Sequence, residues 1–150
     1  MELKARLEAD MKAALKARDL AGVSTLRLAL AAVKQREIDS GHREGLAETE
    51  ALGIIERLIK QRHEAAEQYR AAGREASATS EEAEAKLLGS YLPEPVGSEA
   101  LDAEIRSIIR EAGATSRRDM GKVMGLLKAR LAGRADMAEA SRRVRELLPD

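Results

Sequence analysis

The sequence predicts an all-α protein with an N-terminal up-and-down helical bundle followed by a small three-helix C-terminal bundle. Apolar residues recur at helical spacing along almost all of its 150 residues, and no segment shows the period-two alternation of a strand. All three prolines and six of the eleven glycines fall where that apolar pattern stops. Pro93-Glu94-Pro95 excludes helix, because each proline lacks an amide donor and pushes its predecessor toward extended geometry.

The first two helices belong to an N-terminal domain predicted at residues 1–92. One covers about residues 2–18, and Asp19 is placed to cap a second helix that runs to about Ile38. The polar residues of Ser40–Gly45 then predict a loop. Short connections of this kind favour antiparallel neighbours.

The same domain contains two further predicted helices. The third covers about residues 48–72 and ends at Gly73. Thr79 and Glu82 have the T-x-x-E spacing of a capping box, which predicts that the fourth helix begins there and runs toward Tyr91. The inward faces of the first three helices are expected to hold Leu3, Leu7, Met11, Ala14, Leu15, Val23, Leu26, Leu30, Val33, Leu52, Ile55, Ile59, Ala66 and Tyr69.

Three short helices are predicted in a C-terminal domain at residues 96–150. Ser98 is placed to cap the fifth helix, which Gly113 ends. The spacing of Ser116-Arg117-Arg118-Asp119 resembles a capping box that opens the sixth, and Asp136 is placed to cap the seventh. Their inward faces are expected to hold Leu101, Ile105, Ile108, Ala112, Met120, Val123, Met124, Leu127, Leu131, Met137, Ala140, Val144 and Leu147.

Charge is distributed unevenly between the two parts of the chain. The formal net charge is zero. Residues 113–150 nevertheless hold nine cations and five anions, a surplus of +4, and the first 112 residues hold seventeen cations and twenty-one anions, or −4. Such an asymmetry points to an anionic partner for the C-terminal domain.

Several classes of protein and site are disfavoured by the composition. The chain has no cysteine, so it contains no disulfide, thiolate metal site or cysteine nucleophile. The N-terminal residues lack the apolar core of a signal peptide, and no apolar run approaches a membrane span, so we expect a cytoplasmic protein without membrane contact. His42 and His63 have no partner at metal-ligand spacing, and no nucleophile motif or phosphate loop is present. We therefore expect no metal, no cofactor and no catalytic residue.

The predicted sixth helix carries a candidate binding face opposite its apolar stripe. Gly121 and Gly125 lie there beside Lys122, although each glycine weakens a helix by about 1 kcal/mol relative to alanine. Two explanations remain open: a phosphodiester backbone approaches this bare strip, or another helix packs closely against it.

Clustered cations near the turns and on the last helix are the candidate nucleic-acid-binding residues. Arginine suits phosphate because its planar fork binds two oxygens at once. A solvated helix face explains such a run equally well, and the Asp136 carboxylate opposes anion binding at the last helix N-terminus. The candidate residues are Arg117, Arg118, Lys122, Lys128, Arg134, Arg142 and Arg143.

Four segments resemble the GatB/YqeY family: LKARLEADMKAALKARD at the N-terminus, then IKQRHEAAEQYRAAGRE, YLPEP and GATSRRDMGKVMGLLKARLAGRAD. The resemblance therefore runs essentially from one end of the chain to the other. Ala47 departs from the serine or threonine cap that the family usually has, and residues 77–80 are unusually polar. These proteins are similar to the tail domain of the glutamyl/aspartyl-tRNA amidotransferase B subunit. The resemblance implies an N-terminal helical bundle and a helical tail associated with tRNA recognition. It also implies a carbon–nitrogen ligase activity with glutamine as amido-N-donor, for which this chain lacks the catalytic residues.

The resulting expectation is a tRNA-binding or amidotransferase-associated accessory protein with no chemistry of its own. Tyr69 and Tyr91 are its only aromatic residues, which favours recognition of folded RNA by shape and phosphate over base stacking. Two alternatives remain: a helical protein–protein adaptor, and a carbon–nitrogen ligase component active only in complex. An amidotransferase or aminoacyl-tRNA synthetase component is a further expected partner, and the oligomeric state stays open.

Overall fold

A computed structural model describes residues 2–42 and 44–149 of the protein. These residues form seven α-helices and no β-strand, which confirms the all-α prediction. By its internal contacts the chain divides into two compact units, unit 1 (Met1–Leu92) and unit 2 (Pro93–Asp150). Within the described ranges no helix combines the length and apolar character that crossing a membrane requires. The helices are α1 (Glu2–Lys16), α2 (Leu20–Ser40), α3 (Glu48–Ala71), α4 (Glu75–Gly89), α5 (Ser98–Ala112), α6 (Met120–Leu131) and α7 (Met137–Leu147).

Unit 1 consists of two antiparallel helical hairpins, α1/α2 and α3/α4. Interhelical ion pairs show the antiparallel direction. Lys4, near the beginning of α1, lies 2.9 Å from Glu37, near the end of α2. Arg70 at the end of α3 lies 3.0 Å from Glu75 at the beginning of α4, and Arg62, earlier in α3, lies 3.3 Å from Glu84, later in α4. The most extensive interhelical contact of the unit joins α3 and α4.

A single apolar core joins all four helices of unit 1. Leu7, Ile55 and Leu88 are fully buried at its centre, on α1, α3 and α4. The predicted apolar faces supply half of the buried residues of this core, and Leu15, predicted to face inward, is half exposed. The buried members are Leu3, Leu7, Leu26, Ala29, Leu30, Val33, Leu46, Ala51, Ile55, Leu58, Leu88 and Tyr91.

The beginning of α4 differs from the prediction. The helix starts at Glu75, so Thr79 and Glu82 lie inside it and the capping box predicted for them is wrong. Packing with α3 explains the difference, because Ala78 is fully buried and Arg70 binds both Glu75 and Glu82. These tertiary contacts extend the helix beyond the point where the local sequence would begin it.

Other helix ends differ from the prediction by one or two residues. α1 ends at Lys16, before the expected residue 18, and α2 continues to Ser40, beyond the expected Ile38. Gly97 occupies the cap position before α5, so Ser98 is the first helical residue and not the cap. The predicted loop Ser40–Gly45 includes Arg43, which lies outside the described residues.

Unit 2 is a three-helix arrangement in which α5, α6 and α7 all contact one another. Capping interactions begin its later helices as predicted. Ser116 and Asp119 form a capping box around a 3₁₀ turn (Arg117–Asp119) that leads into α6, and the Asp136 carboxylate accepts the Ala138 amide at 3.0 Å. The buried core comprises Leu101, Ile105, Ile108, Val123, Leu127, Leu131, Ala140, Val144 and Leu148.

Candidate nucleic-acid interface

Burial of one side of α6 leaves the opposite side at the surface. Val123, Leu127 and Leu131 are buried in the core of unit 2, and Met120 and Met124 pack against that core. A helix with this stripe must direct the rest of its residues outward. The exposed residues of α6 are Gly121, Lys122, Gly125, Leu126, Lys128, Ala129 and Arg130.

The two glycines of α6 face open space. A Cβ atom built on either Gly121 or Gly125 would meet no heavy atom of the described chain within 4 Å. The described part of unit 2 therefore places no helix against this strip, which removes close packing within the unit as the reason for the glycines. A bare strip of backbone remains available to an external partner.

The beginning of α6 brings three of the predicted site residues together. Arg117 and Arg118 lie exposed in the 3₁₀ turn, and Lys122 follows one helical turn later. The Lys122 ammonium donates to the Ala112 carbonyl oxygen at 3.0 Å, where α5 ends. A cation there also satisfies a terminal carbonyl of α5, so Lys122 has a structural contact as well as an exposed position.

Asp119 is an acidic residue within this cationic group. Its carboxylate accepts the Thr115 amide at 2.9 Å and the Ser116 amide at 3.4 Å. These backbone hydrogen bonds, together with the nearby charges of Lys122 and Arg118, lower the pKa of Asp119. The carboxylate is thus ionised at neutral pH and belongs to the cap of the 3₁₀ turn.

Arg143 has its charge neutralised within unit 2. Its guanidinium lies 2.9 Å from Asp102 of α5 and 3.2 Å from Glu139, one turn earlier on α7. The hydrogen bond to Asp102 is the main reason that the pKa of Arg143 is raised, and the hydrogen bond to Glu139 adds to it. Only about a quarter of its side-chain surface is exposed, so the structure directs this predicted site residue toward α5.

Arg130 is neutralised in the same way on α6. It pairs with Glu111 and lies 3.8 Å from Glu104, both on α5. The hydrogen bond to Glu111 is the main reason that the pKa of Arg130 is raised. The side of α5 that faces α6 and α7 therefore supplies carboxylates that offset part of the basic C-terminal charge.

Unit 2 as a whole is almost neutral. Residues 93–150 contain eleven cations and ten anions, because acidic residues before residue 113 balance the surplus after it. Local distribution matters more than this total. Several exposed cations make no ion pair with a described residue, so they remain available to an anion: Arg106, Arg110, Arg118, Lys128, Arg142 and Arg145.

The remaining predicted cations lie further along the unit. Lys128 follows Lys122 by six residues, or about 9 Å along the axis of α6. Arg134 lies beyond the other end of α6, where its guanidinium donates to the Glu94 carbonyl oxygen at 3.0 Å. Arg142 is exposed on α7. The predicted residues therefore form one group at the beginning of α6 and several separate positions.

Two exposed arginines of α5 are absent from the candidates predicted from the sequence. Arg106 and Arg110 lie one turn apart, opposite the buried Leu101, Ile105 and Ile108. Their spacing of four on the polar side of a strongly amphipathic helix was the available signal. Both precede residue 113, the first residue of the segment whose surplus of positive charge suggested the candidates.

The described residues contain no group of three or more histidine, aspartate or glutamate side chains that could hold a metal ion. Both tyrosines belong to unit 1: Arg74 lies 5.4 Å from the Tyr69 ring centre, and Tyr91 is buried. Unit 2 can thus bind an anion through cations and backbone, but has no aromatic ring for base stacking.

Comparison with known proteins identifies the family of the chain. It is 32% identical over 109 residues to altered inheritance of mitochondria protein 41, mitochondrial, of Lachancea thermotolerans, covering 71% of this chain and 58% of that protein. The protein of the same name in Vanderwaltozyma polyspora is also 32% identical, over 107 residues, covering 70% and 57%. The chain thus spans less than two-thirds of these relatives. The family model described as Yqey-like protein matches residues 4–148, and this chain therefore belongs to the YqeY-like protein family.

Proposed function

We propose that this YqeY-like protein is a non-catalytic accessory protein that binds tRNA through unit 2. The observation that carries the proposal is the exposed group at the beginning of α6. There, Arg118 and Lys122 flank glycines whose Cβ positions are open. Cations beside bare backbone suit a phosphodiester chain, which approaches closely and needs positive charge.

Folded RNA fits this surface better than unpaired RNA. Residues 93–150 contain no aromatic side chain, and stacking on aromatic rings is the usual way of holding unpaired bases. Recognition of a folded RNA relies instead on its shape, phosphates and ribose hydroxyls. A tRNA is the folded RNA that the resemblance to the amidotransferase tail implies, and an amidotransferase or synthetase component is proposed as a companion.

Unpaired cations provide the sharpest test of RNA binding. A triple variant, Arg118→Gln, Lys128→Gln and Arg142→Gln, removes exposed charges that make no ion pair with a described residue. Labelled tRNA is titrated against it at several salt concentrations. We expect weaker binding, and a log–log salt slope that falls by roughly 0.7–0.9 for each phosphate that the variant no longer neutralises.

The matched control removes three exposed lysines of unit 1: Lys12, Lys16 and Lys60. Lys4 is unsuitable, because it pairs with Glu37 and its loss would disturb the α1/α2 hairpin. An equal loss of affinity in both triple variants would show that the effect comes from the overall positive charge and not from the surface of unit 2. Failure of the wild-type protein to bind tRNA at low salt would end the proposal.

A protein partner would give a different salt dependence. Leu126 is exposed beside the glycines, so a helix of another protein is the competing occupant of this face. Docking of apolar helices weakens little with salt, whereas phosphate binding weakens steeply. Salt-insensitive capture of a partner, abolished by Gly125→Leu but retained in the triple variant, would favour the adaptor function.

The purified protein is also expected to show no glutaminase or amidotransferase turnover. The described residues contain no activated nucleophile next to a base, which such chemistry requires. Release of ammonia from glutamine is the direct measurement. Turnover by the isolated chain that a point substitution abolishes would overturn the non-catalytic function.

A further inference from the structure

The connection between α6 and α7 contains an arginine whose backbone and side chain both make hydrogen bonds. The Arg134 amide donates to the Leu131 carbonyl oxygen at 2.9 Å, and the Arg134 carbonyl oxygen accepts the Val96 amide at 2.7 Å. The guanidinium Nε donates to the Glu94 carbonyl oxygen at 3.0 Å. Arg134 thus joins the end of α6 to the segment that precedes α5.

That segment, Glu94–Val96, cannot form a helix of its own. Pro93 and Pro95 have no amide hydrogen, and each pushes its predecessor toward extended backbone. Order in the segment therefore comes from contacts with other parts of unit 2. Val96 packs against the core of the unit, and Arg134 supplies the two hydrogen bonds.

A turn fixes the position of Arg134. Gly133, directly before it, has a φ of +76°, in the left-handed region that glycine adopts without a steric penalty. The hydrogen bond from Arg134 to Leu131 closes the turn, and Asp136 caps α7 two residues later. Because both sides are fixed, the Arg134 carbonyl oxygen and Nε are presented to Glu94–Val96 from a defined place.

Arg134 also lies apart from the exposed cations that carry the proposed RNA surface. The 12 residues of α6 extend over about 18 Å, and Arg134 follows the opposite end of that helix from Arg118 and Lys122. Its Nε, one of the donors with which a guanidinium binds phosphate, is already bound to a backbone carbonyl oxygen. Both observations favour a structural role for this cation.

We propose that Arg134 is a positioning residue, which holds Glu94–Val96 on unit 2 through its carbonyl oxygen and its Nε and does not bind phosphate. The segment is then an ordered part of unit 2 from Glu94 onward, one residue after Pro93, where the unit begins. This role replaces the nucleic-acid-binding role that the charge of Arg134 suggests in the sequence. It depends only on contacts within unit 2 and is independent of the proposed RNA binding.

Two substitutions at this position separate the donor from the charge. Glutamine has its amide nitrogen where arginine has Nε, so Arg134→Gln removes the charge and keeps a donor for the Glu94 carbonyl oxygen. Arg134→Met has a similar length and removes both the charge and the donor. Neither substitution removes the backbone groups that bond to Leu131 and Val96.

Exchange of the Val96 amide hydrogen, followed by NMR, measures how firmly the segment is held. Loss of the donor should make this exchange at least about fivefold faster in Arg134→Met than in Arg134→Gln, as expected for one lost hydrogen bond. The wild type and Arg134→Gln should exchange similarly. Core amides such as those of Ile105 and Leu127 should be unaffected in both variants, which shows that unit 2 stays folded. Arg142→Met removes an exposed cation of α7 and is the matched control, with no expected effect on Val96.

A tRNA titration then distinguishes positioning from phosphate binding. Arg134→Gln should keep the salt slope of the wild type, whereas loss of a phosphate contact lowers it by roughly 0.7–0.9. Unprotected exchange of Val96 in the wild type, equal exchange in Arg134→Gln and Arg134→Met, or a lower salt slope in Arg134→Gln would each overturn the proposal. If the wild-type protein binds no tRNA, the proposed function fails, and the exchange measurements still decide the role of Arg134.

Discussion

Unit 1 and unit 2 use charged side chains in different ways. In unit 1, ion pairs connect the helices of each hairpin, as between Lys4 and Glu37 or between Arg70 and Glu82. In unit 2, the acids of α5 bind Arg130 and Arg143 on its neighbours, while other cations remain exposed without an ion pair to a described residue. Ion pairs thus join helices in both units, but they are distributed over both hairpins in unit 1, whereas those of Arg130 and Arg143 in unit 2 converge on α5.

The long α3 of unit 1 and the short α6 and α7 of unit 2 differ in what determines their first residues. The 24 residues of α3 pack along α4, and α3 begins at Glu48 with no side-chain cap from Ala47. The helices α6 and α7 have 12 and 11 residues. Side-chain caps precede α7 and the 3₁₀ turn that leads into α6. Helices this short are marginal alone, so local capping matters more where less packing surface is available.

Truncating a core side chain in one unit at a time should have the largest effect on stability. Ile55→Ala and Ile105→Ala each remove a fully buried side chain from a different core, so each should lower the free energy of unfolding by about 2–5 kcal/mol. Hydrogen exchange resolved by residue should show Ile105→Ala weakening protection in α5–α7, and Ile55→Ala in α1–α4. Leu126→Ala, at an exposed position, is the control. Equal losses of protection in all seven helices from either substitution would contradict the division.

Substitutions at two similar sequence patterns test the role of capping. Their expected effect on stability is smaller. Ser116→Ala removes a true cap and should cost about 0.5–2 kcal/mol. Thr79→Ala changes an exposed residue inside α4 and should be nearly neutral or slightly stabilising, because alanine is the better helix former. Thermal unfolding of both variants measures the difference. Similar losses of stability would show that the capping hydrogen bond does not account for the difference between these two positions.

The same pair shows how far the sequence predicts the fold. Apolar periodicity predicted most of the unit 2 core and half of the buried residues of the unit 1 core. The capping rule located Asp19, Ser116 and Asp136 correctly, but Gly97 and not Ser98 precedes α5. The rule also failed at Thr79, because the burial of Ala78 and the contacts of Arg70 extend α4 upstream. Local rules are therefore overridden where interhelical packing extends a helix beyond its local start signal.

The candidate site was less predictable from the sequence, because charges are neutralised by residues far along the chain. Arg143 pairs with Asp102, 41 residues earlier, and Lys122 contacts the end of α5 through a backbone carbonyl that no side-chain pattern reveals. Sequence spacing placed Gly121 and Gly125 on the exposed side of α6. It left open whether another helix covered them, which depends on the packing of the whole unit.

The smallest expected effect concerns the pH dependence of the cap before α6. Hydrogen bonds from the Thr115 and Ser116 amides lower the pKa of Asp119 below the value of 3.8 for an unperturbed aspartate. Because the folded state favours the ionised carboxylate, this stabilisation is fully present above the unfolded pKa and is lost as pH falls through the folded pKa. Asp119→Asn should therefore destabilise unit 2 slightly at pH 7, and its stability should converge with that of the wild type as pH falls below about 3.8. Chemical denaturation of both proteins between pH 7 and acid measures this convergence. A difference that persists unchanged in acid would mean that the side chain acts through shape and not through its charge.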